Sequence, residues 1–207
     1  MTNRAEAVVN LSAIKSNVAT LKAKAGVDLM AVVKADAYGH GLVPVAKAAL
    51  DGGANWLGVA LLEEAIALRA AGITAPILAW LVPPGSDFQS AVDNDIDLAV
   101  SSIKALDEIR ALKGSKRPRI HLEVDTGMTR GGFLSEWSEI DRDHLQGVEI
   151  VGIFSHFARA DEPGQAQNLE QVNRFKKMVA NLDSFGYTNL IRHLSNSAAT
   201  LVDHSSA

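Results

Sequence analysis

The sequence predicts an α/β fold, a (β/α)8 barrel of the TIM type that stops before its eighth strand. Two observations carry this. Short apolar runs alternate with amphipathic helical stretches along the whole chain, the pattern of buried parallel strands joined by helices. Polar residues then fall at the C-terminal ends of distant strands: Lys34 after the first, Asp125 at the fifth, His156 after the sixth and Ser195 after the seventh. An open doubly wound sheet concentrates such residues near one switch point, whereas a barrel gathers all its strand ends around one mouth.

Ala7-Val8-Val9-Asn10 reads as a short leading strand. Ser12 then caps a helix with Ile14, Val18 and Leu21 on one face, stopped by Gly26, so residues 1–28 form a leading strand and helix. The apolar run from Leu29 to Val33 is the first barrel strand. Pro44 opens a helix that buries Val45, Ala46, Ala49 and Leu50 and runs to Gly52-Gly53. Residues 56–60 form the second strand. The next helix, 62–71, carries Glu63 and Glu64 in its first turn, where acidic groups favour the helix dipole, and stops at Gly72.

Residues 76–80 form the third strand and 86–93 a short helix with Phe88 and Val92 inward. Residues 97–100 form the fourth strand. Ser101 or Ser102 caps a helix bearing Ile103, Leu106, Ile109 and Leu112, closed by Gly114. The fifth strand, 119–125, is polar on one face. A weaker helix near Trp137 and Ile140 precedes the sixth strand, 149–155. A longer helix sets Leu169, Val172, Phe175, Val179 and Leu182 on one face and stops at Gly186. Residues 191–194 are the seventh strand, and Ser195-Asn196-Ser197 opens a last helical turn. Six of the seven strands are thus followed by a full helix. The chain closes on His204-Ser205-Ser206-Ala207 with no Gly-rich or charged tail marking a natural end.

Composition bounds the function. With 207 residues, 47% hydrophobic and 21% charged, the chain has the profile of a soluble globular protein and the size of one domain. A net charge of −4 with both signs interspersed argues against a nucleic-acid partner. Without cysteine there is no disulfide framework and no thiolate metal site. No apolar run approaches the roughly 20 residues of a membrane helix, and residues 1–6 do not form a signal peptide. A cytoplasmic protein that does not engage membranes is expected.

Lys34 leaves the end of a buried strand, where α/β folds put their chemistry. Burial disfavours the ammonium form, so such a lysine can act as a neutral amine and form Schiff bases with carbonyls; the alternative is a lysine with its head in solvent. Tyr38, in a turn containing Gly39 and Gly41, either holds an anionic group or caps the rim. His121, Glu123 and Asp125 alternate on one face of their strand. They fit a divalent metal or, more in keeping with the need of buried charges for partners, a polar network with Arg119 and Arg130; no metal is expected. Arg130 lies in a loop with Gly127, Gly131 and Gly132 and suits carboxylate or phenolate oxygens. His156 is a candidate acid, base or ring-packing group. Ser195-Asn196-Ser197 caps a helix whose free N–H groups also suit a phosphate. There is no P-loop and no G-x-G-x-x-G after a strand, which argues against nucleotides. A phosphorylated aldehyde unites these parts: an imine on Lys34, its phosphate at Ser197 and Tyr38, a phenolate at Arg130. Pyridoxal 5′-phosphate is that ligand.

The stretch 31–41, Ala-Val-Val-Lys-Ala-Asp-Ala-Tyr-Gly-His-Gly, closely resembles the pyridoxal-phosphate attachment motif of alanine racemases. The resemblance continues in order through Val124-Asp125-Thr126-Gly127-Met128-Thr129-Arg130, through Ser155-His156-Phe157-Ala158 with Ala160-Asp161-Glu162, and through His193-Leu194-Ser195-Asn196-Ser197-Ala198-Ala199. It implies an eight-stranded α/β barrel followed by a β-rich C-terminal domain, a head-to-tail homodimer, and interconversion of L- and D-alanine for bacterial cell-wall precursors. Carried over, residues 1–207 are a single, incomplete pyridoxal-phosphate-binding barrel domain. Lys34 holds the cofactor and is the base on one face of the substrate. Tyr38 and Ser197 bind the phosphate, Arg130 contacts the phenolate oxygen, and His156 and Asn196 belong to the shell around the ring, with Glu123 and Met128 in support.

Two departures matter. Glu123 stands where many members carry a carbamylated lysine, and its fixed carboxylate is expected to pair with Arg130 and orient it. The eighth strand, with an arginine for the pyridine nitrogen, and the C-terminal domain, with the tyrosine that serves the opposite face, are not in the sequence. Racemisation needs a proton handled on both faces, so these 207 residues alone are expected not to racemise alanine. The alternative is a monomeric, non-catalytic pyridoxal-phosphate-binding barrel of the homeostasis kind, or a barrel module that takes no cofactor.

Overall fold

A computed structural model describes residues 5–202. The readings made on residues 1–4 and on His204-Ser205-Ser206-Ala207 lie outside the described residues. In chain order the elements are α1 (Leu11–Ala25), β1 (Met30–Val32), the short α2 (Lys34–Gly39), α3 (Leu42–Asp51), β2 (Trp56–Val59), α4 (Leu62–Ala70), β3 (Ile77–Ala79), α5 (Phe88–Asp93), β4 (Asp97–Val100) and α6 (Ile103–Arg110). There follow β5 (Arg119–Glu123), a 3-10 turn (Ser135–Glu139), β6 (Glu149–Phe154), α7 (Ala166–Ser184), β7 (Ile191–His193) and α8 (Ser197–Val202). All seven strands join one sheet in chain order, each parallel to the next.

Alternate residues of each strand face opposite sides, and the two sides differ. Leu57, Val59, Ile77, Ala79, Leu98, Ile120, Leu122 and Ile153 face the helices and form the main core. The inner side holds a smaller cluster of Leu78, Ala99 and Phe154 with Met30 and Trp80 packed on it. Rings on this side meet across the sheet. Trp56 on β2 and His121 on β5 have ring centroids 5.4 Å apart. In a flat sheet three strand spacings would separate them by about 14 Å. The sheet is therefore curled into a barrel wall, and α1 packs against α8 as the two edges approach.

The polar face of β5 enters this interior. Asp97 and His121 are buried, and Arg119 donates Nε and Nη2 to the two Asp97 oxygens at 2.8 and 3.2 Å. Arg119 also reaches Glu149 at 2.7 Å. His121 Nε2 lies 3.4 Å from Asp97 Oδ2, and His121 Nδ1 lies 2.9 Å from His193 Nε2. Among the described residues His121 Nε2 is buried without a hydrogen-bond partner of its own, and the bond to His193 takes its direction from the tautomer of the two rings. His193 also stacks on Phe154 at 4.7 Å. Gly152 makes the arrangement possible, because a Cβ there would come within 2.5 Å of His121 Nδ1. On the rim away from the site, Arg69 donates to the carbonyls of Ile73, Ala75, Asn94 and Asp95, clasping the turns that lead into β3 and β4.

Several local expectations are corrected. Ala7-Val8-Val9-Asn10 is not a strand; Val8 is 80% exposed, and these residues pair with no strand among the described residues. Asn10, not Ser12, caps α1, its Oδ1 accepting from the Ala13 N–H. The segment near Trp137 is a 3-10 turn, so β5 is not followed by a full helix. α6 ends at Arg110, well before Gly114. On α7 the first inward position belongs to Gln171, in the second turn, rather than to Leu169, which is exposed. Arg119 joins the polar network of His121 through Asp97, which lies between them, and Arg130 does not take part in it.

The histidines make stability pH-dependent. Burial, then the nearby His121, pushes His193 well below the ordinary imidazole value. Between that depressed value and the ordinary one the unfolded chain binds a proton that the fold refuses, so stability falls as pH drops through the ordinary imidazole range. The thermal midpoint should therefore fall between about pH 7.5 and pH 5.5, and His193→Gln should flatten that slope. A flat profile for the wild type overturns this.

Candidate active site

The site gathers at the C-terminal ends of the strands. β1 runs through Val33, whose N–H donates to the Gly58 carbonyl at 2.8 Å, into Lys34, which is half-buried. The chain then turns with the wrong hand. Ala35, Asp36, Ala37 and Tyr38 take φ of 52°, 54°, 52° and 57°, a run of four left-handed residues, each bearing a side chain. Each costs about 1–2 kcal/mol relative to right-handed backbone, so the turn persists because its surroundings impose it. Ala37 N–H closes on the Val33 carbonyl, and Asp36 Oδ1 accepts from the Leu42 N–H at 2.7 Å, tying the turn to the start of α3. Glu64 Oε1 accepts from the Ala35 N–H. Tyr38 emerges from the turn 60% exposed.

At the end of β5 the chain loops back onto its own strand. Asp125 N–H donates to the Phe133 carbonyl and Phe133 N–H to the Glu123 carbonyl, at 2.9 and 2.8 Å. Gly132, at φ 108°, permits this contact; a Cβ there would sit 2.6 Å from Asp125 N. The Asp125 carboxylate faces its own loop, with Oδ1 accepting from the N–H groups of Gly127, Met128 and Thr129. It is a loop organiser, so the alternating His-Glu-Asp ladder does not act as one set. Among the described residues no group of three or more histidines and carboxylates is placed to hold a metal.

Arg130 stands exposed on this loop, above a hollow lined by Glu123, Val124, Asp125, Met128, Gly131, Ser155 and His156. His156 is held below the ordinary imidazole value first by burial and then by the positive charges of Arg130 and Lys34. Lys34 follows β1 and His156 follows β6, so the curl of the sheet sets both at the same end of the strands. Burial raises the Glu123 carboxyl; Arg130 opposes the shift and Asp125 adds to it. Arg130 and Glu123 are coupled by charge but make no ion pair within 4.0 Å.

The β7 end supplies the rest. Asn196 Oδ1 accepts from the Ala199 N–H at 3.0 Å, so the asparagine caps α8. Ser197 is exposed at its first position, and Ser195 Oγ is buried with no partner.

Sequence reasoning missed the residue that joins two of these loops. Gln171 is 1% exposed on α7. Its Oε1 accepts from the Ala158 N–H at 3.0 Å, and its Nε2 donates to the His156 carbonyl at 2.9 Å and to Thr126 Oγ1 at 3.2 Å. Thr126 Oγ1 and Ser155 Oγ share a further bond of 2.8 Å. The signal was present: Gln171 stands one turn before Phe175 on the same inward stripe as Val179 and Leu182, a polar residue at a core position.

Comparison with known proteins gives a consistent result. The family profile described as "Alanine racemase, N-terminal domain" matches residues 9–207. Alanine racemase of Salinispora tropica is 48% identical over 206 residues, 96% of this chain and 55% of that protein. That of Thermobifida fusca is 46% identical over 210 residues, covering 97% of this chain and 56% of the relative. Among solved structures, alanine racemase from D-cycloserine-producing Streptomyces lavendulae superposes with a TM-score of 0.91 at 43% identity, over 95% of this chain and 54% of that one. Alanine racemase from Bacillus anthracis with bound L-Ala-P gives 0.82 at 40% identity, over 93% and 52%. The chain spans about half the length of the curated relatives it matches.

The Gln171 joint has a measurable worth. Gln171→Leu leaves the His156 carbonyl, the Ala158 N–H and Thr126 Oγ1 without this partner. Thr126 Oγ1 keeps Ser155 Oγ, so the cost falls on the part-buried His156 carbonyl and Ala158 N–H, at about 1–3 kcal/mol for each group left unsatisfied. Urea unfolding should show a loss of at least about 2 kcal/mol; a loss below about 0.5 kcal/mol would show that the joint carries little.

Proposed function

The chain belongs to the alanine racemase family through its N-terminal domain, and from that premise we propose that it forms the pyridoxal-phosphate-binding barrel of an enzyme interconverting L- and D-alanine. What supports the reading is that Lys34, Arg130 and His156 follow the C-terminal ends of β1, β5 and β6 of one curled parallel sheet, with Arg130 and His156 lining one hollow.

The residues present fit this cofactor. Lys34 supplies an amine at a half-buried strand end for its aldehyde carbon, and Tyr38 and Ser197 supply exposed hydroxyls for its phosphate. The buried, unpartnered Ser195 Oγ leaves polar capacity unused at the start of the same α8 turn. Arg130 would meet the phenolate oxygen, while His156 and Asn196 would flank the ring and Met128 would line the hollow beneath Arg130. When bound, the cofactor draws electron density from the substrate α-carbon and makes its proton removable. Lys34 Nζ takes or returns that proton on one face. Arg130 holds a cation where oxygens carry negative charge. His156, kept neutral by burial and by two nearby cations, packs the site without adding a third positive charge.

The opposite face needs a second proton-handling group. In our reading it comes from outside the described residues, through a head-to-tail homodimer, so that residues 1–207 act as one barrel domain of a larger assembly. No helix of the described residues is long and apolar enough to cross a membrane, and a cytoplasmic setting is part of the same proposal.

Incubating the chain with pyridoxal 5′-phosphate should give a visible absorbance band, and borohydride should fix the cofactor on Lys34 in the peptide map. The chain by itself should not interconvert the alanine enantiomers. An adduct mapping elsewhere, or turnover by the chain alone, contradicts the reading; an adduct on Lys34 whose spectrum ignores both enantiomers favours a non-catalytic carrier. Glu123 is proposed to orient Arg130 by charge across the hollow. Glu123→Gln should then weaken cofactor affinity and, in the racemising assembly, lower turnover; wild-type affinity and turnover in that variant would remove the role.

A further inference from the structure

We propose that Glu64 is a positioning residue for Lys34, clamping the peptide after the lysine to the end of the neighbouring strand; this rests on Lys34 being the cofactor lysine.

The argument begins with the left-handed run from Ala35 to Tyr38. Residues with side chains avoid that backbone, so the run needs an external hold. Most bonds that support it are internal or from main chain: Val33 N–H to the Gly58 carbonyl, Ala37 N–H to the Val33 carbonyl, Leu42 N–H to Asp36 Oδ1. Among the described hydrogen bonds, the outside side chain that reaches the 34–41 turn is Glu64, through Oε1 to the Ala35 N–H at 2.5 Å. Its other oxygen accepts from the N–H groups of Ala60 and Leu61 at 3.0 and 2.9 Å.

One half-buried carboxylate thus receives three peptide N–H groups from two adjacent strand ends. The Ala35 N–H belongs to the peptide plane that follows Lys34. Fixing that plane fixes the Lys34 ψ and the Ala35 φ, and with them the direction in which the lysine side chain leaves the backbone. The pattern demands a carboxylate. A glutamine keeps one acceptor oxygen and turns an NH2 against N–H donors, and an aspartate is a methylene too short to serve both strands.

The test compares the wild-type chain with Glu64→Gln, and with Leu68→Val as a control that loosens the same helix at a fully buried position. Three readouts are taken: affinity for pyridoxal 5′-phosphate from its absorbance band, amide hydrogen exchange at Ala35, and the thermal midpoint. Glu64→Gln should weaken cofactor affinity about tenfold, the equivalent of one lost charge-assisted hydrogen bond, and speed Ala35 exchange, with the adduct still on Lys34. Leu68→Val should lower the midpoint and leave the other two readouts in place. Wild-type affinity and unchanged Ala35 exchange in Glu64→Gln would overturn the proposal, as would a Leu68→Val variant that loses affinity to the same extent. If the wild-type chain takes no cofactor on Lys34, the functional reading fails, and the clamp stands or falls on Ala35 exchange alone.

Discussion

The seven parallel strands, joined in chain order and twisting with one hand, curl into a barrel wall instead of lying flat. Everything functional in this chain depends on that curl. It turns the inner faces of β2, β5 and β7 toward each other, so that Trp56, His121 and His193 pack as one cluster. It also sets the ends of β1, β5 and β6, with the residues that follow them, on one side of the sheet. Lys34, Arg130 and His156 are separated by long stretches of chain, yet they share an electrostatic environment.

The barrel interior is filled partly with polar groups, which is costly unless each is paired. Asp97 meets that demand. Burial works against its ionisation, and hydrogen bonds and charge from His121 and Arg119 outweigh it, holding the carboxyl below its ordinary range. An ionised Asp97 orients His121, and His121 in turn orients His193. The order of these side chains therefore descends from one carboxylate on β4, far from the mouth. The arrangement leaves the His193 ring neutral and fixed at the sheet's edge, beside the strand end that leads to Asn196 and Ser197.

At the mouth, rigidity comes from groups that do no chemistry themselves. Asp125 spends its carboxylate on its own loop and so sets the stem from which Arg130 projects. Gln171 reaches from α7 to hold the ends of β5 and β6 together. Glu64 does the same for the ends of β1 and β2. Such supporting contacts give a site its geometry, because the groups that meet ligand have few partners of their own.

Much of this was legible in the residues. The alternation of apolar runs and helical stripes marked the seven strands nearly to the residue, because the central strands are buried on both faces and read as apolar runs, while β5 and β7 carry polar residues as well. Lys34, Tyr38, Arg130, His156, Asn196 and Ser197 were singled out by their places just past strand ends and by resemblance to a known family. What sequence could not supply were relations between elements. Nothing in Ala35-Asp36-Ala37-Tyr38 signals a left-handed turn, since the residues prefer the opposite hand and the surroundings impose it. Nothing in Glu64 distinguishes a helix-start glutamate from a clamp across two strands. Asp125 read as part of a ladder and faces its own loop, and Val8 and Val9 read as a strand but have none beside them to pair with. The sequence by itself determined the order and kind of the elements and the apolar faces of most of them, because these follow from local composition and period. Tertiary structure alone decided hand, partner and direction, because those are set by atoms that lie far along the chain and near in space.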